Sequence, residues 1–269
     1  MFIRHRFVRV ALASFVPVLA IFSGCSSDPA PAAPGTNDGG GDANAEAVVT
    51  GDNVSKQTGK IIAIQTDEGI PGATVTIAGK SVVTNETGDY EILVPRNEPY
   101  RMTVVANGFY KLIEQEWMVR QATHDRGTTD LVKVETAEVL DALVGDRKPE
   151  KGVVLVKVNP RPPCDSEGGS TLTIDPPGEA KVLYFNGSLP DFSQHSVQAG
   201  TYISAAFYNV EVGVPVKVIV HSPKCLQAPF PIDVGDVTYT GNLTAEAGAA
   251  FAYMRVYIQE PSVNDAGSE

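Results

Sequence analysis

Four kinds of side chain in this 269-residue sequence could do chemistry: three cysteines, four histidines, closely spaced carboxylates and a lysine on a predicted strand. His124 is followed by Asp125, as half of a nucleophile–base relay would be, yet no serine sits in a G-x-S-x-G elbow to complete it. His195, between Gln194 and Ser196, reads as a surface-loop residue, and His221, before Ser222-Pro223, as the end of a strand. No HExxH or His-x-x-Glu spacing occurs, so a zinc-hydrolase site is not encoded. Glu114 and Glu116 flank Gln115; a glycosidase would need such a pair held at a fixed separation across a cleft, whereas a solvated strand face needs only alternation. Phosphate-cradling glycine fingerprints are missing, and Gly39-Gly40-Gly41 lies in a stretch that reads as linker. The expectation is a protein that is not an enzyme and carries no metal or cofactor.

The remaining reactive group is Cys25. Arg4, Arg6 and Arg9 precede an apolar run from Val10 to Phe22 that only Ser14 and Pro17 interrupt. About a dozen apolar residues are too few to span a bilayer, and a basic front with a small-residue exit reads as a secretory signal. Ile21-Phe22-Ser23-Gly24-Cys25 resembles the lipobox of bacterial lipoproteins. That resemblance implies cleavage before Cys25, acylation of its sulfur and amine by palmitate-like chains, and tethering of the rest outside the cytoplasm. An ordinary secretory signal with an incidental Cys25, or a membrane helix, is the alternative. Ser26 is not the aspartate that retains some Gram-negative lipoproteins at the inner membrane, so the outer membrane is the expected address. Several acyl chains suffice for stable anchoring, so the folded part needs no membrane-binding face of its own.

Composition bounds the partners. The chain has 21 basic and 32 acidic residues; removing Arg4, Arg6 and Arg9 with the signal leaves 18 against 32, a net charge of −14. Such a surface repels phosphate backbones, which excludes nucleic acid as a partner. Assigning Cys25 to lipid leaves Cys164 and Cys225, an even pair in an oxidising compartment. They form either a disulfide or two separate buried thiols.

Residues 25–54 follow the signal (1–24) and are rich in Pro, Ala, Gly and Asp, with almost nothing large to bury, so a flexible tether is expected. From Gly59 short β-branched runs recur about every ten residues between turn residues, a pattern that predicts an all-β sandwich. The predicted strands are Lys60 to Gln65, Ala73 to Ala78, Ser81 to Thr84, Tyr90 to Val94 and Arg101 to Ala106. Their order, with Gly69-Ile70-Pro71-Gly72-Ala73-Thr74-Val75-Thr76-Ile77, Thr87-Gly88-Asp89-Tyr90-Glu91-Ile92 and Asn107-Gly108-Phe109-Tyr110, resembles the carboxypeptidase regulatory-like domain. This is a transthyretin-like (prealbumin-like) sandwich, an accessory module that implies no peptidase activity. The match covers about Ser55 to Val119. Lys60 stands where related adhesin repeats carry an isopeptide-forming lysine, but Tyr100 to Val105 lacks their glutamate, so no such bond is expected.

Val134 to Gly145 predicts a helix, with Val139, Leu140, Leu143 and Val144 on one face, Thr136 at its start and Gly145 at its end. Residues 134–150 would join the first sandwich (55–133) to a second (151–260), built on Val153 to Val158, Ser170 to Ile174, Lys181 to Phe185, Thr201 to Val210, Val214 to His221, Asp236 to Thr244 and Phe251 to Ile258. The second sandwich is a diverged repeat of the first or an unrelated one. Residues 261–269 read as a disordered tail. Trp117, Phe109 and Tyr110 cluster near the end of the first sandwich, and serve either as core or as a platform for sugar rings. The sequence thus predicts a lipid-anchored, non-catalytic envelope protein of two prealbumin-like sandwiches, whose partner is another envelope protein or a glycan.

Overall fold

The computed structural model describes residues 53–64, 66–187 and 189–261. Cys25, the signal, the tether and most of the tail therefore lie outside the described residues. The first half contains eight strands: β1 (Val54–Ala63), β2 (Thr74–Ile77), β3 (Lys80–Val83), β4 (Asp89–Pro95), β5 (Met102–Val105), β6 (Lys111–Glu114), β7 (Trp117–Val119) and β8 (Thr123–Leu131). Helix α1 (Val134–Val144) follows. The second half contains β9 (Gly152–Pro160), β10 (Thr171–Asp175), β11 (Lys181–Asn186), β12 (Leu189–Pro190), β13 (Ala205–Val210), β14 (Lys217–His221), β15 (Leu226–Gln227), β16 (Ile232–Val234), β17 (Val237–Tyr239) and β18 (Ala250–Gln259). The fold is all-β sandwich, as the strand pattern predicts.

The hairpins of the first half follow from their turn chemistry. Gly79, at φ 75°, lets β2 fold straight back onto β3, and Gly88, at φ 84°, lets the chain enter β4. A Cβ at Gly88 would stand 2.5 Å from the Ile61 carbonyl oxygen and 2.8 Å from Gly69 Cα, so glycine is required by both the dihedral and the close approach. Tyr90, Ile92 and Val94 then alternate inward along β4 with exposed residues between them.

One large sheet runs through both halves in the order β12-β11-β13-β9-β18-β6-β5-β2-β3, with β15 pairing the end of β18. Its joint is β18, which lies parallel to β6 on one side and to β9 on the other. A three-stranded sheet, β4-β1-β8, packs on one face of the large sheet over the β2–β5–β6 end. The two-stranded sheet β10–β14 packs on the opposite face over β9, β13 and β18. Alternation along β18 serves both cores: Phe251 and Tyr257 point into the first, Ala252, Met254, Val256 and Ile258 into the second. The two sandwiches are therefore fused side by side through a shared sheet rather than strung on a linker, and the described residues form one compact unit.

Several elements differ from expectation. Strand β1 begins at Val54, six residues early, because backbone pairing with β4 and β8 carries Ser55 and Gln57 inward although both are polar; both are fully buried. Strand β8, polar along most of its length, forms by parallel pairing with β1. The stretch from Thr201 becomes strand only at Ala205, and the stretch from Val214 only at Lys217, Pro215 and Val216 instead meeting Thr244 and Leu243. The expected strand Asp236 to Thr244 is shorter, as β17 turning back on β16 through Gly235. In α1 the N-cap is Lys133 rather than Thr136, and Gly145 ends the helix in the left-handed conformation. Val139 and Leu143 do not pack; they are 60% and 59% exposed, and the helix instead seats Ala137. No helix among the described residues is long and apolar enough to cross a membrane.

Candidate functional site

The cysteines resolve first. Cys164 and Cys225 are bonded, with sulfurs 2.05 Å apart, and both are buried in the second core. The aromatic trio does not form a sugar platform. Trp117 is completely covered, packed edge-on against Tyr100 at 4.8 Å between ring centroids, and Tyr110 stacks on Phe251 inside the first core. Phe109 is half-buried against the same cluster. A ring with no exposed face has none to offer a sugar.

Trp117 instead takes part in a buried charge arrangement. Strand β8 carries Arg126 inward, placing its guanidinium carbon 4.2 Å from the Trp117 ring centroid. Glu114, at the end of β6, pairs with that guanidinium. Both side chains are nearly inaccessible, 4% and 6% exposed, so Glu114 does not belong to a solvated face as its spacing with Glu116 suggested. Glu116 stays at the surface and accepts hydrogen bonds from Thr240 at 2.9 Å and Asn242 at 2.7 Å. The two carboxylates thus serve different partners and do not converge on a cleft as a catalytic pair.

The histidines likewise find structural partners. His124 Nδ1 lies 2.7 Å from Asp236 on the β16–β17 hairpin, not against Asp125, which accepts from the Gly127 amide. His221 contacts Thr173 at 3.5 Å across the two-stranded β10–β14 sheet. Lys60 sits on the outer, half-buried side of β1, lining an open groove of about 640 Å3 with Asn85, Asp89 and Glu91. Among the described residues no three His, Cys, Asp or Glu side chains cluster to hold a metal.

The feature with the geometry of a site is a cleft of about 520 Å3 that the sequence pattern did not announce. It exists because β8 is the edge of the three-stranded sheet while the large sheet beneath it continues through β18, β9, β13 and β11. The uncovered sheet face forms the floor. Register aligns Glu114, Tyr253 and Leu155 in one row across β6, β18 and β9, with Leu112 and Phe251 in another. Residues of β8 and Leu140 of α1 form the facing wall, and Phe185, Leu189 and Ile203 close the far end. The size falls within the usual range for small-molecule pockets, about 300–1,000 Å3.

Its polar groups are few. At the mouth, the Tyr202 hydroxyl donates to Asp130 of β8, linking the two halves. Burial pushes the Asp130 carboxyl above its ordinary range, with the Tyr202 hydrogen bond working against that shift. Burial likewise raises the Tyr202 phenol, and Asp130 raises it further. Within the cleft stands Arg255, whose guanidinium reaches Tyr239 Oη at 3.5 Å and lies 5.6 Å from the Tyr253 ring centroid. Arg255 is not among the residues singled out in the sequence, although a signal was there: it is the lone charge in the apolar run Ala250-Phe251-Ala252-Tyr253-Met254-Arg255-Val256-Tyr257-Ile258.

No protein-family model matches the chain, and no curated protein matches it. Solved structures give weak likenesses. The Bacillus anthracis TIE protein aligns over 78% of this chain and 34% of its own at 9% identity, with a TM-score of 0.27. A streptococcal ancillary pilin aligns over 78% of this chain and 63% of its own at 10% identity, with a TM-score of 0.25. A Bacteroides fragilis protein described as membrane-associated and of unknown function aligns over 72% of this chain and 98% of its own at 15% identity, with a TM-score of 0.26. The chain thus spans about a third of the first protein and less than two thirds of the second. Scores this low identify no relative, and none of these proteins lends the chain a function.

Proposed function

We propose that the chain is a non-catalytic module of the bacterial cell envelope, held at a membrane by acyl chains on Cys25 and presenting a rigid pair of fused sandwiches to a partner. The observation that carries this reading is the Cys164–Cys225 bond, since disulfides persist where thiols stay oxidised and are rare in the cytosol. An exported chain is what the basic, apolar and small-residue order of residues 1–25 would also produce. The strand order of the first half supports its likeness to the carboxypeptidase regulatory-like module. The outer membrane is the proposed address, from Ser26, and another envelope protein the proposed partner, since exposed sheet edges such as β3 can accept an added strand. A glycan-binding role is the weaker reading, because the covered Trp117 withdraws its main contact.

The test is metabolic labelling with an alkyne-bearing palmitate, followed by membrane fractionation of the wild-type and Cys25→Ala chains. The reading expects label and membrane recovery for the wild type and loss of both in the variant. Equal distribution of the two chains, with no label in either, would refute it.

A further inference from the structure

The cleft over β6, β18 and β9 has a property that the anchoring role neither requires nor explains. Its walls are apolar, yet a permanently cationic side chain lines them. Among the described residues no carboxylate lies within ion-pair distance of Arg255, and its guanidinium meets Tyr239 Oη only at 3.5 Å. The contrast with its neighbours is sharp. Lys157, beside Arg255 in register on β9, is engaged by Glu167 at 3.3 Å and by the Thr201 carbonyl. Arg126, across the cleft's inner end, has Glu114. Arg255 has no carboxylate of its own: Glu114, whose charge it feels, is already paired with Arg126, and the hydroxyls and rings of Tyr239 and Tyr253 supply its nearer contacts.

We propose that this cleft binds a small amphipathic carboxylate, its head group on Arg255 and its hydrocarbon body against Leu112, Leu155, Phe185, Ile203 and Phe251. Arginine presents paired donors that match a carboxylate. A monoanion is favoured over a phosphate because the other charges are already spoken for: Glu114 is neutralised by Arg126, and Asp130 is engaged by Tyr202 and would repel a second negative charge. The apolar lining rejects compact hydrophilic acids, and the volume admits a chain or ring system of drug-like size. Tyr202, about half exposed at the mouth, sits where it would cover the bound body. The inference is independent of acylation at Cys25.

The test uses the full chain and calorimetric titration with decanoate, 2-naphthoate, decan-1-ol and decyltrimethylammonium, all below their aggregation limits. Saturable one-to-one binding of decanoate or 2-naphthoate is expected, with decan-1-ol about tenfold weaker or worse and no binding of the ammonium. Arg255→Gln should weaken carboxylate binding about tenfold or more while decan-1-ol is little changed. Leu140→Trp, which fills the cleft from α1 and keeps Arg255, should abolish binding of both, so the proposal stays testable if the arginine variant fails to fold. Absence of binding of both carboxylates at millimolar concentration would overturn the proposal. Equal affinity for decanoate and decan-1-ol, or unchanged affinity in a folded Arg255→Gln or Leu140→Trp chain, would do the same.

Discussion

The guanidinium of Arg126 lies over Trp117, its carbon 4.2 Å from the ring centroid, and Glu114 closes the pair from β6. Strand β8 is thereby attached to the large sheet at a point where hydrophobic contact alone would leave two charges in the core. Removing one partner strands the other. Glu114→Leu or Arg126→Met alone should each cost about 3–5 kcal/mol in denaturant unfolding, whereas the two together should recover most of that loss. Additive single losses in the double variant would show that the pair is not coupled.

The disulfide makes a second prediction. Cys164 and Cys225 are separated by 61 positions, and closing a loop of that length stabilises by about 4 kcal/mol on the chain-entropy account. A chain with both cysteines changed to alanine should lose stability of that order. Reduction of the wild type should have the same effect, and reduction of the double variant none.

Gly88 should be among the least replaceable positions. Alanine there combines a positive φ with a collision against the Ile61 carbonyl and Gly69, so Gly88→Ala should destabilise by about 2 kcal/mol or more. Gly79→Ala shares the positive φ but meets no atom within 4 Å, and should cost less. Thermal melts of the two variants compare them directly.

The half-buried Asp191 offers a pH handle. The Ser193 hydroxyl, then the Ser193 amide and Gln194, hold its carboxyl down to about 2. Because the folded value is depressed, whatever stability this group adds is present above the ordinary carboxylate range and is lost as pH falls through about 2. Ser193→Ala should move the Asp191 titration upward in a proton-detected NMR series. An unchanged midpoint would assign the shift elsewhere.

How much of this was legible in the chain depends on whether the signal is local. The strands β2 to β5 were readable because each is bounded by its own turn residues and alternates with period two. Strand β8 was not, because Thr123 to Asp130 carries almost no apolar residue and gains its place from β1, some 65 positions away. The fusion of the two sandwiches was also invisible: the parallel pairing of β6 with β18 joins Lys111 to Ala250, and no local pattern specifies a partner at that distance. The apolar spacing of α1 misled in the other direction, since Val139 and Leu143 face solvent while Ala137 makes the contact. Trp117 was open in the sequence to either core or a sugar platform, and pairing placed it in the core, while Arg255 lies at a cleft that forms only once β6, β18 and β9 stand side by side.

Lipid anchoring requires acyl chains on the sulfur of Cys25. Intact-mass and N-terminal peptide analysis of the membrane-extracted chain should find a polypeptide that begins at Cys25 and carries acyl mass on that cysteine. A membrane-recovered chain that retains residues 1–24, or one beginning at Cys25 with its thiol free, would contradict lipid anchoring and with it the proposed envelope role.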